Sequence, residues 1–320
     1  MSRPRHDNVV LPAFREEGIM PIITVGMPVY NGEEFIRDAL DSILSQTFPD
    51  FELIISDNAS TDGMQKICRE YAESDARIRY VRNPENIGAA RNYNQVFRMA
   101  RGKYFHWAAH DDAFRPEYLA RCLEVLEKNP DLVLCFTQEV GIDERGNTLA
   151  ERPYRLDTSL ALPEDRFLEL LKMHRGSPPI FGLMRADILR QTSLIGSYDG
   201  SDQVLLAELA LHGRFRQIGE NLFLHREHAG RSVHRHRGRH SVTVWFDTAN
   251  AGKIVFPRWR WFWEYFRVIR KSPITLHQQW RCALHVLRWV RFRDNVEKMI
   301  EDIRIGSRSF AALLRYKLWS

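Results

Sequence analysis

Residues 104–118 read YFHWAAHDDAFRPEY, and this stretch decides how the rest of the chain is interpreted. Its first four residues have the pattern of a short buried strand, and Pro116 is typical of the first turn of a helix. Between the two stand Asp111 and Asp112, whose carboxylates repel each other at the end of a buried strand. A cation would relieve that repulsion, because Mg²⁺ binds carboxylates and substrate phosphates. The alternative is an exposed acidic turn that caps the helix.

The composition is that of a globular protein whose charge is unevenly distributed. Of the 320 residues, 44% are hydrophobic and 27% are charged, which suits one large domain with an extension. The formal net charge is +5, yet the residues after Gly230 include about 19 Lys or Arg and only about six Asp or Glu. The preceding part is therefore net acidic, which predicts two regions with different partners.

Cysteine spacing and hydrophobic runs indicate the compartment. The cysteines have neither metal-type nor redox-type spacing and favour reduced thiols in the cytosol: Cys68, Cys122, Cys135 and Cys282. Residues 1–20 are charged and irregular, which predicts a flexible N-terminal arm without a secretion signal. The chain has no run of about 18 apolar residues. We therefore expect a cytoplasmic protein, either free or peripheral on the cytoplasmic face of a membrane.

Apolar strands, polar loops and amphipathic helices alternate along the first half of the chain. The pattern predicts strands at 21–27, 51–56, 78–81, 104–107 and 132–136, with helices between them. Such alternation is typical of a parallel sheet with helices on both faces, and ligands bind beyond the carboxyl ends of its strands. Polar residues follow four of these ends: Tyr30-Asn31, Asp57-Asn58, Asn86 to Gly88, and Asp111-Asp112.

Four of these loops, taken together, carry a family resemblance. VGMPVYN at 25–31, DNASTD at 57–62, NIGAARN at 86–92 and HDD at 110–112 resemble the nucleotide-sugar half of a family 2 glycosyltransferase. The resemblance covers about residues 22–228 and implies a GT-A fold, a Rossmann-like, mostly parallel sheet flanked by helices, with a C-terminal helical extension. We expect an N-terminal arm (1–20), a GT-A domain (21–235) with nucleotide-sugar (21–136) and acceptor (137–235) halves, and a basic amphipathic helical region (236–320).

The resemblance also implies roles for individual residues of the donor site. Asp111 would bind Mg²⁺ or Mn²⁺, His228 would approach the metal and the diphosphate, and Asp57 would hydrogen-bond the base, which favours UDP. The remaining donor-site residues would be Pro28, Tyr30 and Glu33 at the nucleoside, Arg91 at the nucleotide or its phosphates, and His110 beside the metal. Ala109 stands where many relatives carry another Asp, so this loop supplies one metal ligand fewer. Asp57 as a helix cap and Arg91 as a solvated charge are the alternatives.

A second acidic motif, YDGSDQ at 198–203, precedes an apolar-rich helix. In the family an acidic pair at this position supplies the catalytic base. Here the pair is Ser201-Asp202, so the resemblance assigns that role to Asp202. The helix N-terminus favours its ionised form, and Asp199 is the nearest rival. The alternative is an N-cap aspartate.

The tail after Gly230 mixes basic residues with aromatic ones, as in FPRWRWFWEYF at 256–266. Interleaved Trp and Arg fit an amphipathic helix lying on an anionic membrane surface. They fit equally a helical cap whose Trp residues pack on the catalytic domain. Nucleic acid is not an expected partner, because no nucleic-acid-binding motif accompanies the charge.

The function that these features predict is an inverting, metal-dependent glycosyltransferase of cell-surface or envelope glycan synthesis. A nucleoside diphosphate sugar would be the donor, and a glycan, lipid-linked or protein hydroxyl the acceptor. A nucleotidyltransferase is an alternative, although residues 28–32 lack the glycine-rich, basic signature that it needs. A non-catalytic sugar- or nucleotide-binding protein is another, because Ala109 and Ser201 replace two expected acids.

Overall fold

The computed structural model describes residues 20–149, 155–156, 158–173, 178–231, 239–250, 253–292 and 294–306. The predicted N-terminal arm therefore lies outside the described residues, except for Met20. Part of the basic cluster after Gly230 and the last 14 residues lie outside them as well.

The described residues form a mixed sheet of eight strands, with helices between them. The strands are β1 (Ile23–Val29), β2 (Phe51–Asp57), β3 (Ile78–Arg82), β4 (Tyr104–Trp107), β5 (Ala113–Phe114), β6 (Leu132–Ile142), β7 (Leu183–Arg185) and β8 (Arg214–Arg226). The helices are α1 (Ile36–Leu44), α2 (Met64–Ser74), α3 (Ala89–Arg98), α4 (Tyr118–Lys128), α5 (Pro163–Leu171), α6 (Ala186–Leu189), α7 (Ser201–His212), α8 (Arg239–Phe246), α9 (Pro257–Lys271) and α10 (Leu276–Trp289). Residues 295–306 are also helical, and Pro178–Phe181 and Thr248–Asn250 form 3₁₀ turns.

The order of the strands separates a parallel half from a mixed half. Across the sheet the order is β3-β2-β1-β4-β7-β6-β8-β5. The first four strands are parallel, β7 runs antiparallel between β4 and β6, and β8 is parallel to β6. The short strand β5 pairs antiparallel with β8 at the edge. The predicted strands 21–27, 51–56, 78–81, 104–107 and 132–136 are confirmed, and the last of these extends to Ile142.

The two faces of the sheet bury separate apolar clusters. Along β4, Tyr104 faces one side while Phe105 and Trp107 face the other, as the two-residue period of a strand requires. Helices α1, α2 and α4 cover the first face, and α3, α5 and α7 cover the second. Helices on both faces of the sheet confirm the predicted fold class. Helix α4 begins at Tyr118, two residues later than Pro116 predicts.

The C-terminal helices share the second of these cores. Trp261 and Tyr265 of α9 are buried with Val286 and Trp289 of α10 in the cluster that α5 and α7 also fill. The Trp261 and Trp289 rings are stacked, with centroids 6.1 Å apart. The inward faces of α9 and α10 therefore form a cap on α5 and α7, as one of the two interpretations of the tail proposed. In the part of the chain that the structure describes, no helix is both long enough and apolar enough to cross a membrane.

Gly200 is the point where this cap meets the N-terminus of α7. Its φ of +75° lies in the left-handed region, and a Cβ added there would overlap the Trp261 ring. The Trp261 Nε1–H donates a hydrogen bond to the Asp199 carbonyl oxygen. The turn that precedes Asp202 therefore needs glycine for two reasons, its backbone conformation and the approach of α9.

We expect Gly200→Ala to destabilise the protein more than a substitution with the same backbone penalty alone. Gly146 has a similar φ of +83°, but a Cβ there meets nothing within 4 Å, so Gly146→Ala should cost about 1 kcal/mol. Gly200→Ala adds overpacking against Trp261 and should cost about 3 kcal/mol or more. Urea unfolding of the two variants measures the difference, and equal losses would contradict the docking of α9 on this turn.

Candidate active site

The loops after β1, β2 and β4 lie side by side because their strands are neighbours in the sheet. Val29 pairs with Asp57, and Gly26 pairs with Trp107, so the three strands end at one edge. Asn31 in the first loop accepts a hydrogen bond from the Thr61 backbone N–H at 2.7 Å. His110 in the third loop packs so closely on Gly32 that a Cβ there would overlap its ring. The predicted convergence of polar loops is therefore present in the structure.

Asp111 and His228 meet at this edge from distant parts of the chain. The His228 Nε2 atom lies 3.0 Å from Asp111 Oδ2, and its ring packs on Phe35 at 4.6 Å between centroids. Burial alone would raise the pKa of Asp111, but the charge of His110 and the hydrogen bond from His228 hold that pKa below its ordinary value. Asp111 is therefore an ionised carboxylate beside an imidazole.

The adjacent carboxylate, Asp112, has a different environment. It is buried, and its Oδ1 accepts a hydrogen bond from the Arg226 backbone N–H at 2.9 Å. His225 Nδ1 lies 3.2 Å from the same oxygen. Burial would lower the pKa of His225, but Asp112 raises it above the ordinary value. Asp112 therefore holds the end of β8 in place, whereas Asp111 faces the site.

Arg226 is a buried residue for which the sequence alone predicts no role. Its Nε donates to the Asp111 carbonyl oxygen at 2.9 Å, and its Nη2 donates to Asp38 at 3.0 Å. Its Nη1 donates to the carbonyl oxygens of Asp143 and Glu144 at 3.2 and 3.1 Å. One guanidinium therefore ties the loop of Asp111 to α1 and to the turn after β6.

Asp57 lies at the predicted strand end, but its carboxylate is fully buried and engaged. Oδ1 accepts a hydrogen bond from the Ser60 backbone N–H at 2.8 Å. Oδ2 accepts from the Tyr80 hydroxyl at 2.8 Å and from Arg82 Nη1 at 2.6 Å. Burial and the bond to Asp57 raise the pKa of Tyr80. A direct contact between Asp57 and a base would therefore compete with Arg82.

The other predicted nucleoside residues differ in accessibility. Pro28 is buried within β1, whereas Tyr30, which directly follows that strand, is 40% exposed. The Glu33 carboxylate accepts a hydrogen bond from the Gly63 backbone N–H, at the start of α2. Tyr30 can thus offer a ring to a ligand, while Glu33 joins the first two loops.

Arg91 projects from the first turn of α3 and remains 56% exposed. Its Nη2 lies 3.7 Å from Asp247 Oδ1, in the segment that follows α8. The same segment lies against Gly88, where a Cβ would come within 2.8 Å of the Phe246 carbonyl oxygen. The segment from α8 to Asn250 therefore crosses the N-terminus of α3 beside Arg91.

Asp202 lies in the first turn of α7. Burial and then the charges of Asp111, Asp112 and Asp202 raise the pKa of the Tyr93 phenol in α3. Asp202 also contributes, after burial, to the raised pKa of Tyr265 in α9, against the opposing charge of Arg258.

Two side chains at this edge of the sheet are candidate metal ligands. Among the described residues no group of three or more His, Cys, Asp or Glu could hold an ion. Asp111 Oδ2 and His228 Nε2, however, are 3.0 Å apart, which is the spacing of adjacent ligands about 2.1 Å from an octahedral ion. The pair therefore fits an ion whose other ligands are diphosphate and water oxygens. An imidazole donor suits Mn²⁺ better than Mg²⁺, which prefers oxygen.

Comparison with known proteins identifies the family. The model of the family described as "Glycosyl transferase family 2" matches residues 24–191, more than half of the chain, and the chain belongs to that family. An uncharacterised glycosyltransferase of Methanocaldococcus jannaschii is 35% identical over 133 residues, 41% of this chain and 46% of the relative. The putative teichuronic acid biosynthesis glycosyltransferase TuaG of Bacillus subtilis is 37% identical over 106 residues, 33% of this chain and 42% of TuaG. The chain spans less than half the length of both relatives.

Solved structures show the same fold at low sequence identity. TarS of S. aureus, in complex with UDP-GlcNAc, has a TM-score of 0.61 and 15% identity, with 90% of this chain and 81% of TarS covered. The mannosyltransferase PcManGT of Pyrobaculum calidifontis, in complex with GDP-Man and Mn²⁺, has a TM-score of 0.54 and 18% identity, with 94% and 81% covered. The expected GT-A fold is confirmed.

Replacement of Arg226 tests whether its four hydrogen-bond acceptors support the site. Arg226→Lys keeps the charge but loses the planar guanidinium fork, so we expect the free energy of unfolding to fall by about 3 kcal/mol. The matched control is Arg231→Lys, in a half-exposed ion pair with Glu227, which should cost less than about 0.5 kcal/mol. Urea unfolding compares the two, and similar small losses would show that the Arg226 contacts are dispensable.

Proposed function

We propose that this protein transfers a sugar from a nucleoside diphosphate sugar, with UDP as the nucleotide, to an acceptor hydroxyl with inversion. The observation that carries the proposal is the meeting of Asp111 and His228, 3.0 Å apart, at the carboxyl ends of the parallel strands. Ligands bind at that edge in sheets of this kind. Membership of family 2 and the UDP-GlcNAc named for TarS support the same donor class.

The donor lies, in this proposal, along the loops after β1, β2 and β4. Tyr30 stacks on the base, and Arg91 and His110 approach the phosphates. Asp111 and His228 would hold Mn²⁺ or Mg²⁺. A divalent ion there would neutralise the diphosphate and stabilise it as a leaving group. Asp57 accepts a hydrogen bond from the base in competition with Arg82, which already donates to its Oδ2.

Asp202 acts as the general base. The carboxylate accepts the proton of the acceptor hydroxyl while the acceptor oxygen forms a bond to the anomeric carbon. The bond from that carbon to the phosphate oxygen breaks, and the nucleoside diphosphate leaves on the opposite face. A helix N-terminus favours the ionised form of a carboxylate, which is the form that a general base needs.

Asp202→Asn should abolish turnover while nucleotide binding persists. We expect the wild-type protein with Mn²⁺ to hydrolyse at least one of UDP-glucose, UDP-GlcNAc and GDP-mannose, measured as released nucleotide. Loss of a general base should lower the rate by about 100-fold or more, while the Kd for UDP, measured by calorimetry, should change less than about threefold. Asp199→Asn, three residues away in the same turn, is the matched control and should retain turnover.

Two results would contradict this assignment. Full turnover by Asp202→Asn would remove the proposed base, and loss of turnover only in Asp199→Asn would transfer the role to Asp199. Wild-type protein that binds UDP without hydrolysing any sugar nucleotide would favour the alternative of a non-catalytic binding protein.

We also propose that the outer face of α10 rests on an anionic membrane, which places the enzyme in surface or envelope glycan synthesis at the cytoplasmic face. Leu276, Trp280, Leu284 and Leu287 follow one another at helical spacing, opposite the buried face of α10. Leu276, Trp280 and Leu287 are largely exposed. Helix α10 contains no Asp or Glu, and Arg288 is exposed on it. An apolar stripe with cations and without acids suits anionic lipid.

Binding to vesicles tests this surface. We expect the protein to sediment with phosphatidylcholine vesicles only when they contain phosphatidylglycerol. Leu276→Ser combined with Leu287→Ser should weaken that binding by about tenfold or more, because two apolar side chains no longer enter the bilayer. Ile300→Ser, an exposed site on the next helix, is the control. Binding that ignores either the anionic lipid or the double substitution would rule the surface out.

A further inference from the structure

A cleft of about 710 Å³ lies between the loop that leads into α7 and the C-terminal helices. Aromatic side chains form much of its wall: Tyr198, Phe256, Trp259 and Trp263. Thr243, Asn250 and Arg260 add polar groups, and no Asp or Glu is among the lining residues that the structure describes. Its volume is in the range of about 300–1,000 Å³ that is usual for ligand sites.

The aromatic wall is fixed in place by the surrounding structure. The Trp259 Nε1–H donates to the Met299 carbonyl oxygen at 3.1 Å, and Arg260 lies over the Tyr198 ring at 5.5 Å. Glu264 pairs with Arg260 at 2.6 Å, from the next turn of α9. Trp263, in contrast, leaves 62% of its surface exposed at the cleft. A flat, exposed ring beside hydroxyl and amide groups suits a ligand with apolar faces and many hydroxyls.

The cleft is connected to the proposed base through its own loop. Tyr198 precedes Asp202 by four residues, so even an extended chain would separate their Cα atoms by no more than about 14 Å. The loop is folded rather than extended, because the Ser201 N–H donates to the Tyr198 carbonyl oxygen at 3.3 Å. An oligosaccharide bound in the cleft can therefore extend to Asp202 with only a few more sugar units.

The cleft is also connected to the donor side. Thr243 and Asn250, which line it, belong to the segment that includes Asp247. Asp247 pairs with Arg91, and its backbone lies against Gly88. One short segment thus borders both the nucleotide loop and the cleft, as expected for an acceptor site beside a donor site.

From this arrangement we propose that the cleft binds the acceptor as a glycan chain, with Trp263 stacked on the apolar face of one of its sugar rings. The proposal rests on the proposed function. It assigns the C-terminal helices a part in choosing the acceptor. Arg260 belongs to the described lining of the cleft and no Asp or Glu does, so chains that contain uronic acids suit it as well as neutral chains.

Calorimetric titration of the protein tests the cleft. The probes are a neutral one, N-acetylchitotetraose, and an acidic one, a chondroitin tetrasaccharide. We expect the wild type to bind at least one of them and Trp263→Ala to weaken that binding by about tenfold, which is about 1.4 kcal/mol. Trp280→Ala is the matched control, because Trp280 is 60% exposed on α10 and lies outside the cleft lining.

Three outcomes would overturn the cleft: neither probe binds the wild type, Trp263→Ala binds as well as the wild type, or Trp280→Ala weakens binding equally. Measuring sugar-nucleotide hydrolysis by the wild type distinguishes failure of the cleft proposal from failure of the proposed function. Hydrolysis without glycan binding removes the cleft and leaves the transferase. Glycan binding through Trp263 without hydrolysis of any donor removes the transferase and leaves the cleft.

Discussion

The hydrogen bonds of the buried residue Arg226 are the interactions on which the site depends. Its guanidinium donates to the Asp111 carbonyl oxygen, to Asp38 and to the turn after β6, and its backbone N–H donates to Asp112. A buried cation is costly unless its donors are satisfied, so the segments that satisfy it are held in one arrangement. That arrangement sets His228, two residues further on, against Asp111. The Asp111–His228 pair is thus a consequence of how the end of β8 packs against the loop that follows β4.

The C-terminal helices support the other side of the site by packing against it. Their inward aromatic residues complete the core of α5 and α7 rather than forming a core of their own. Contact between Trp261 and the turn at Gly200 brings α9 to the start of the helix that carries Asp202. The position of Asp202 therefore depends on residues about 60 positions later in the chain. The outward residues of these helices remain available for an acceptor and for a membrane.

Local features such as strand positions can be predicted from the sequence, whereas contacts between distant segments cannot. Strands β1 to β4 are recognisable because each is a short apolar run followed by polar loop residues, and the position of Asp111 follows from its place after such a run. Membership of family 2 supports that interpretation. The pairing of Asp57 with Tyr80 and Arg82 was not predictable, because Arg82 resembles any exposed basic residue beside a loop. Arg226 precedes His228 in the HREH motif at 225–228, but its structural role was not predictable, since its burial and its four acceptors, which come from three segments, exist only in the folded chain.

The roles of Asp111 and His228 as a metal-binding pair are the central claim, and anomalous diffraction tests them most directly. Crystals grown with UDP and Mn²⁺ would locate the ion without reference to activity. The account predicts an anomalous peak within coordination distance of Asp111 Oδ2 and His228 Nε2, with the diphosphate of UDP on its open side. A Mn²⁺ peak bound elsewhere, or UDP bound at this edge with no ion between it and Asp111, would contradict it.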